Sequence, residues 1–366
     1  MKKIRKAILT GGGRGTRLHP VTTTINKHLL PLANKPMIFH AIEKVVEAGV
    51  THIYINTNPG EIELQKHIGD GGHWGVNITF FEQTGGPQGI AHVVKQAEKF
   101  IGKEPFIFYL SDNILLGSVK NMVEDFEQSD VDCMLALSEV PDPERFGVPI
   151  FHEDGKTLMD VWEKPHNPPN NFAVTGIYIY GPNIFFGAFD NIEKSARGEY
   201  EISSIHSHFI KTGKKVGYKE ITGWWKDTGK PEDLLIANRL LLEHIHENDF
   251  LRHKHVENIA NIEGKVHIGR GTQIGENVTI KGPVIIGENC VLENCTILPH
   301  TTIGSGCEIK HATIKHSIIL DNATISCHLT IDNSIIGKSA QLIEKQPPQE
   351  KQAHRMILGD KTVIEL

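Results

Sequence analysis

The chain has 366 residues, a net charge of −6, 39% hydrophobic and 22% charged residues. That length predicts two domains, and the acidic balance argues against a nucleic-acid binder. The apolar run after the basic start stops at Gly11, too short for a signal peptide; no run reaches the ~18 apolar residues of a membrane span, and the five cysteines form no C-x-x-C pair, so a cytoplasmic protein is expected.

Residues 1–230 alternate apolar runs with helical patterns, which predicts an α/β domain with a largely parallel sheet and helices on both faces. Predicted strands are Lys6–Thr10, His52–Asn56, Phe106–Leu110, Val131–Leu137, Val174–Tyr180 and Val216–Ile221. Predicted helices are Pro36–Ala48, Ile90–Phe100, Val119–Glu127 and Ile202–Lys211. Pro231 opens another helix, as suits a first helical turn, and the first domain is expected to close near residue 245. Residues 246–261 read as a polar linker. Ile262, Ile268, Ile274, Ile280, Ile286, Leu292 and Leu298 then recur at every sixth position. That period predicts a hexapeptide parallel β-helix over 262–340, with about four coils in 262–337. Residues 341–366 are expected to be a C-terminal tail, apolar enough at its end to dock rather than dangle.

Residues 8–37 carry the clearest chemistry: an apolar strand, the glycines Gly11, Gly12, Gly13 and Gly15, then Arg17 and Lys27. Glycines allow close approach and positive φ, so backbone N–H groups can surround a polyphosphate. Arg17 adds a planar fork and Lys27 a point charge. The glycines are not followed by Lys-[Ser/Thr], which excludes a P-loop, and they do not fit G-x-G-x-x-G. A nucleoside triphosphate is the expected ligand. In open α/β sheets ligands bind beyond the carboxyl ends of strands. The glycine loop, Asp112 and Asp227 all fall at such ends.

Thr10–Leu18, Lys27-His28-Leu29-Leu30-Pro31, Lys35-Pro36-Met37, Tyr109–Asn113, Pro143–Val148, Glu163-Lys164-Pro165, Val174-Thr175-Gly176, Ser195–Glu199 and Asp227-Thr228-Gly229 are ordered blocks. Together they resemble the sugar-phosphate nucleotidylyltransferases, and within them the long-form branch that carries a C-terminal left-handed β-helix. The resemblance implies a Rossmann-like domain with a mostly parallel or mixed sheet. It implies attack by a sugar-1-phosphate oxygen on the α-phosphorus of dTTP, with pyrophosphate leaving. Such a reaction needs positioning and charge neutralisation more than a protein nucleophile. Arg17, Lys27, Asp112 and Asp227 are the implied catalytic set, with Asp112 and Asp227 as Mg²⁺ ligands. Gly11, Gly12, Gly13, Gly15, Thr16 and Arg17 are expected to hold the nucleotide phosphates, and Gln83 and Gly89 the base, with Gln88 the alternative amide. Asn113, Gly147, Glu163, Lys164, Val174 and Arg197 are expected around the sugar phosphate.

Other features carry less. Cys290, Cys295, Cys307 and Cys327 read as small inward-facing side chains of the β-helix, without zinc spacing. His300, His311, His316 and His328 are similar to the histidines of hexapeptide acyltransferases, but no long insertion shapes an acyl-donor groove. The β-helix is expected to join copies of the chain into a homo-oligomer. The alternatives are a UTP-dependent uridylyltransferase acting on a sugar such as N-acetylglucosamine-1-phosphate, with acetyl transfer in the β-helix, and a non-catalytic nucleotide-sensing subunit.

Overall fold

The computed structural model describes residues 2–13, 15–221, 223–245, 261–344 and 353–365. It divides into two compact units, one of Met1–Gly13 with Ile38–Lys226 and one of Arg14–Met37 with Asp227–Leu366. The segments 14–37 and 227–245, read from the sequence as part of the first domain, therefore group with the β-helix.

The first unit is built on a nine-stranded sheet. Its strands are β1 (Lys6–Thr10), β2 (His52–Thr57), β3 (Asn77–Glu82), β4 (Phe106–Tyr109), β6 (Cys133–Glu139), β7 (Gly147–Phe151), β8 (Leu158–Glu163), β9 (Phe172–Tyr180) and β10 (Val216–Glu220). β5 (Asn113–Leu115) lies apart and pairs with β11 (Trp225–Asp227). The order is β8-β7-β9-β4-β1-β2-β3, with β6 on β9 and β10 on β6. β4, β1, β2 and β3 run parallel, while β9 is antiparallel to β4, β6 and β7. The sheet is thus mixed. The apolar runs of β1 and β4 are buried along their whole interior, from Ala7–Leu9 to Phe106–Tyr109, as a central parallel strand requires. The helix expected over Ile90–Phe100 is two pieces, Ile90–Gln96 and Glu98–Ile101, joined at Ala97. The helix Ile202–Lys211 packs on β8, and Ser207 donates to the Val161 carbonyl at 3.0 Å.

The second unit contains three sheets of six short parallel strands. One strand from each sheet makes a coil, so the described residues form six coils; fourteen of the strands, more than four coils, are complete by residue 337, in line with the four expected there. Two features depart from the six-residue count and the expected end. The spacing shortens at the third coil: Ile297, fully buried, faces inward where the six-residue count expected Leu298. The residues expected to be a tail also form a coil, with Ala353–His354, Ile357–Leu358 and Val363–Glu365 each pairing with the strand before it. Inside, identical side chains stack in register, as in Ile280, Ile297, Ile314 and Ile331. Corners are turned by residues at positive φ, mostly Asn and His, among them Asn289, His311 and Asn322. The helix Pro231–His244 belongs to the same unit. The linker expected over 246–261 lies outside the described residues except Asn261, which opens the first β-helix strand.

Candidate active site

In the first unit, three strand ends are tied together by side chains. The Ser111 N–H donates to Thr10 Oγ1 at 2.8 Å, Gly11 N–H to Asn56 Oδ1 at 3.1 Å and Gly13 N–H to Asn58 Oδ1 at 3.1 Å. A Cβ on Gly11 would lie 2.5 Å from Leu64 Cδ2 and 2.7 Å from the Asn56 backbone carbonyl oxygen; one on Gly12 would lie 2.7 Å from Asn56 Nδ2. Only glycine lets the backbone come this close. Asn56 and Asn58 brace the loop, and the sequence pattern did not single them out.

Asp112 immediately precedes β5 in the first unit, and Asp227 ends β11 and belongs to the second. Asp112 Oδ1 accepts from Asn113 Nδ2 at 3.0 Å. The Asn113 side chain, expected against the sugar, is buried, and its oxygen accepts from Gly176 N–H at 3.2 Å and Trp225 Nε1 at 2.9 Å. It therefore aims Asp112. Tyr109 donates to the Asn113 carbonyl at 2.9 Å; burial, then the Asp112 charge, pushes its phenol above the usual range and keeps it a donor.

Gly147 lies opposite Glu163 in β8 and Val174 in β9. Glu163 accepts from Lys164 at 3.2 Å, Arg197 at 3.1 Å and Ser203 at 3.0 Å. Arg197 also reaches the buried Glu201 at 2.9 Å, and Ser195 donates to the same Glu201 oxygen at 2.7 Å. Burial works against the guanidinium charge, but Glu201, Glu163 and Glu199 outweigh it and hold the Arg197 pKa above its usual value. The sugar-phosphate candidates Gly147, Glu163, Lys164, Val174 and Arg197 thus form one cluster. Glu201, its buried anchor, was not foreseen, although it stands four residues after Arg197.

Of the residues expected at the base, Gln83 donates its N–H to the Thr57 carbonyl at 2.9 Å, and its side chain makes no hydrogen bond among the described residues. The Gln88 amide is instead turned into its own loop, donating to the Gly85 carbonyl at 3.0 Å. Gly89 has φ 94°, and a Cβ there would lie 2.5 Å from the Tyr200 carbonyl oxygen.

In the second unit, Gly15 at φ 56° leads into a 3₁₀ turn, Thr16–Leu18, that buries Leu18 and leaves Thr16 and Arg17 exposed. Thr22 donates to the Gly15 carbonyl at 2.7 Å, and a Cβ on Gly15 would lie 3.2 Å from Lys27 Cβ. Lys27 starts the third 3₁₀ turn of this segment, after Val21–Thr23, and it is capped by the Asn26 side chain accepting from His28 N–H at 2.9 Å. A Cβ on Gly229 would lie 3.0 Å from Arg17 Nη2 and 3.2 Å from Asp227 Oδ2. Gly229 therefore keeps open a niche bordered by a guanidinium and a carboxylate. Within the unit, Arg17 and Asp227, far apart in sequence, meet at Gly229, and Lys27 lies against Gly15.

Residues 6–244 match the nucleotidyl transferase family, and 265–299 match the bacterial transferase hexapeptide repeats. The chain is a nucleotidyltransferase. It is 34% identical to the glucose-1-phosphate thymidylyltransferase of Streptomyces antibioticus over 99% of each chain. It is 36% identical to a low-salt glycan biosynthesis nucleotidyltransferase of Haloferax volcanii, over 78% of this chain and 88% of that one. A Bacillus anthracis protein, solved with sucrose and described provisionally as a glucose-1-phosphate thymidylyltransferase, superposes with a TM-score of 0.61 at 35% identity, covering 69% of this chain and 99% of its own.

In this nucleotidyltransferase no cluster of three or more His, Cys, Asp or Glu side chains suited to a metal exists among the described residues. The donor set available to a cation is carboxylate oxygen, which suits Mg²⁺, an ion that keeps waters and bridges phosphates. Asn113 fixes one Asp112 oxygen in the first unit, and the Gly229 cradle faces Asp227 Oδ2 in the second, so each carboxylate offers an oxygen of that kind. All five cysteines are free and buried. The β-helix histidines stack in pairs, His300 on His316 and His311 on His328, with ring centroids 5.5 and 4.8 Å apart. His300, His316 and His328 point a ring nitrogen at Glu243, Asp332 and Glu344 at 2.8–3.1 Å. No described helix is long and apolar enough to cross a membrane.

Proposed function

We propose that this nucleotidyltransferase transfers a thymidylyl group from dTTP to glucose-1-phosphate, forming dTDP-glucose and pyrophosphate. The observation that carries the reading is the niche at Gly229, where Arg17 and Asp227 meet beside the loop that also bears Lys27. A guanidinium and a carboxylate facing one space suit a phosphate chain that arrives with a cation. The near full-length likeness to a thymidylyltransferase supports the choice of nucleotide and sugar.

The sugar phosphate is itself the nucleophile, so the protein has to align two anions and neutralise the charge that repels them. In this reading the amides of Gly11, Gly12, Gly13, Gly15 and Thr16 receive the triphosphate, and Arg17 and Lys27 take up the charge that moves onto the leaving pyrophosphate. Mg²⁺, held by Asp112 and Asp227, supplies charge neutralisation at the phosphates when bound. Lys164 and Arg197 hold the sugar phosphate, and Glu163 accepts from its hydroxyls beside Gly147 and Val174. The Gln83 amide, donor and acceptor at once, reads the base edge with the backbone of Gly89. Residues 1–245 carry the reaction, and the β-helix serves assembly into a homo-oligomer in a reducing cytoplasm.

The test is a panel of triphosphates against sugar-1-phosphates with Mg²⁺, followed by pyrophosphate release. The expected best pair is dTTP with glucose-1-phosphate. Release only with UTP transfers the reading to uridylyl chemistry, and no release with any pair refutes it.

A further inference from the structure

The loop that carries Arg17 and Lys27 has little structure of its own. Between Gly15 and Leu30 it makes three short 3₁₀ turns and no α-helix or strand. Its stiffness has to come from what it rests on, and within its own unit that support is the β-helix.

Two contacts fall between the two cations. A Cβ on Gly359 would lie 2.9 Å from the Pro20 carbonyl oxygen and 3.1 Å from Pro20 Cβ, so the last coil passes the loop at backbone distance. One residue on, an Asp360 oxygen accepts from the Thr24 hydroxyl. The other Asp360 oxygen accepts from Lys338 N–H at 2.8 Å, which anchors the carboxylate to the preceding coil. Pro20 follows Arg17 by three residues and Thr24 precedes Lys27 by three. Beyond Lys27 a third support follows: Asn34 donates to the Ile303 carbonyl at 2.6 Å, and Ala33 N–H donates to Asn238 Oδ1 at 2.8 Å.

We propose that the last coil of the β-helix, through Gly359 and Asp360, is a positioning element for the phosphate-binding cations of the nucleotide loop. The inference rests on the reading of Arg17 and Lys27 given above, and it assigns to the C-terminal coil a part in nucleotide binding besides assembly. Thr24 and Asp360 are positioning residues; they act through the loop.

Thr24→Val removes the donor at nearly constant shape and leaves the β-helix untouched. Thr24→Ser keeps the hydroxyl. Gly359→Ala crowds the Pro20 carbonyl. The full-length variants are compared with the wild type by hydrogen exchange and by steady-state kinetics with the triphosphate the wild type uses. Thr24→Val and Gly359→Ala are expected to speed exchange of amides in 15–30 several-fold while those of β1 and β2 stay protected. They should raise the KM for the triphosphate about three- to tenfold with the KM for the sugar phosphate unchanged, and Thr24→Val should leave the melting temperature unchanged. Thr24→Ser should restore wild-type behaviour. Exchange in 15–30 that ignores both substitutions overturns the proposal, as does an equal rise in both KM values. A wild type that releases no pyrophosphate with any triphosphate overturns the reaction itself, an outcome read from the kinetic arm alone.

Discussion

Replacing Gly147 with alanine separates a role in folding from a role in binding. Gly147 opens β7, and its Cα faces Glu163. A Cβ built there would meet Val161 Cγ1 at 3.6 Å, Val174 Cβ at 3.8 Å and Glu163 Oε2 at 3.9 Å. These are ordinary contact distances, and the backbone is not in the left-handed region, so the overpacking cost of ~1–3 kcal/mol does not arise. Loss of glycine's freedom in the unfolded chain contributes ~0.4–1 kcal/mol in favour of the variant. Gly147→Ala is therefore expected to be as stable as the wild type or slightly more so. The methyl nevertheless fills the face on which the sugar is proposed to lie. Losing one hydroxyl–carboxylate hydrogen bond costs about 1.5–3 kcal/mol, or roughly ten- to a hundredfold in kcat/KM for the sugar phosphate. Gly176→Ala is the contrasting control, because its Cβ would lie 2.7 Å from Leu110 Cβ and 2.9 Å from the Asn113 amide; it should lose stability. Thermal unfolding and initial rates at varied sugar phosphate decide the matter. An unchanged kcat/KM in a folded Gly147→Ala protein refutes the placement of the sugar.

Asp112→Asn and Asp227→Asn should each lower kcat at least about a hundredfold while circular dichroism stays native, and chelation by EDTA should do the same reversibly; near-wild-type rates remove them as metal ligands. Ile309 is fully buried between Leu292 and Ile325 in the β-helix ladder, so Ile309→Ala should cost about 2–5 kcal/mol in denaturant unfolding of that unit; a cost below about 1 kcal/mol contradicts the stacking. The Thr157 hydroxyl, then the N–H groups of Thr157 and Lys156, hold the Asp154 pKa down at about 2. A depressed carboxylate stabilises above its unfolded pKa of about 3.9, and that contribution is lost as pH falls toward 2. The Thr157 amide shift followed by NMR should therefore titrate near pH 2, and a midpoint near 4 would falsify the turn geometry.

Strands buried on both faces were the most legible part of the fold. Lys6–Thr10 matches β1 residue for residue, because a continuous apolar run bounded by glycine has few other uses. The hairpin of β7 and β8 went unread: Pro149 and the exposed Met159 and Trp162 break the expected alternation. A strict count of six also missed the short step to Ile297, since period alone does not say which of two adjacent aliphatics turns inward. The candidate site was legible where chemistry and spacing coincide, as at Gly11–Gly13 and Arg17. Its supports were not. Asn56 and Asn58 act across folded distance, and nothing in their neighbours along the chain marks them; Glu201 stands four residues from Arg197, but outside a helix that spacing carries no signal.

The ladder's last step has a practical meaning. Thr313 pairs with Thr330, but Thr330 pairs with Ala353, after a longer return, and the stacking continues in register. Register between coils is thus carried by the pairing of strands and not by an even count of residues. Threading another chain onto this ladder therefore has to follow its rungs, not its spacing.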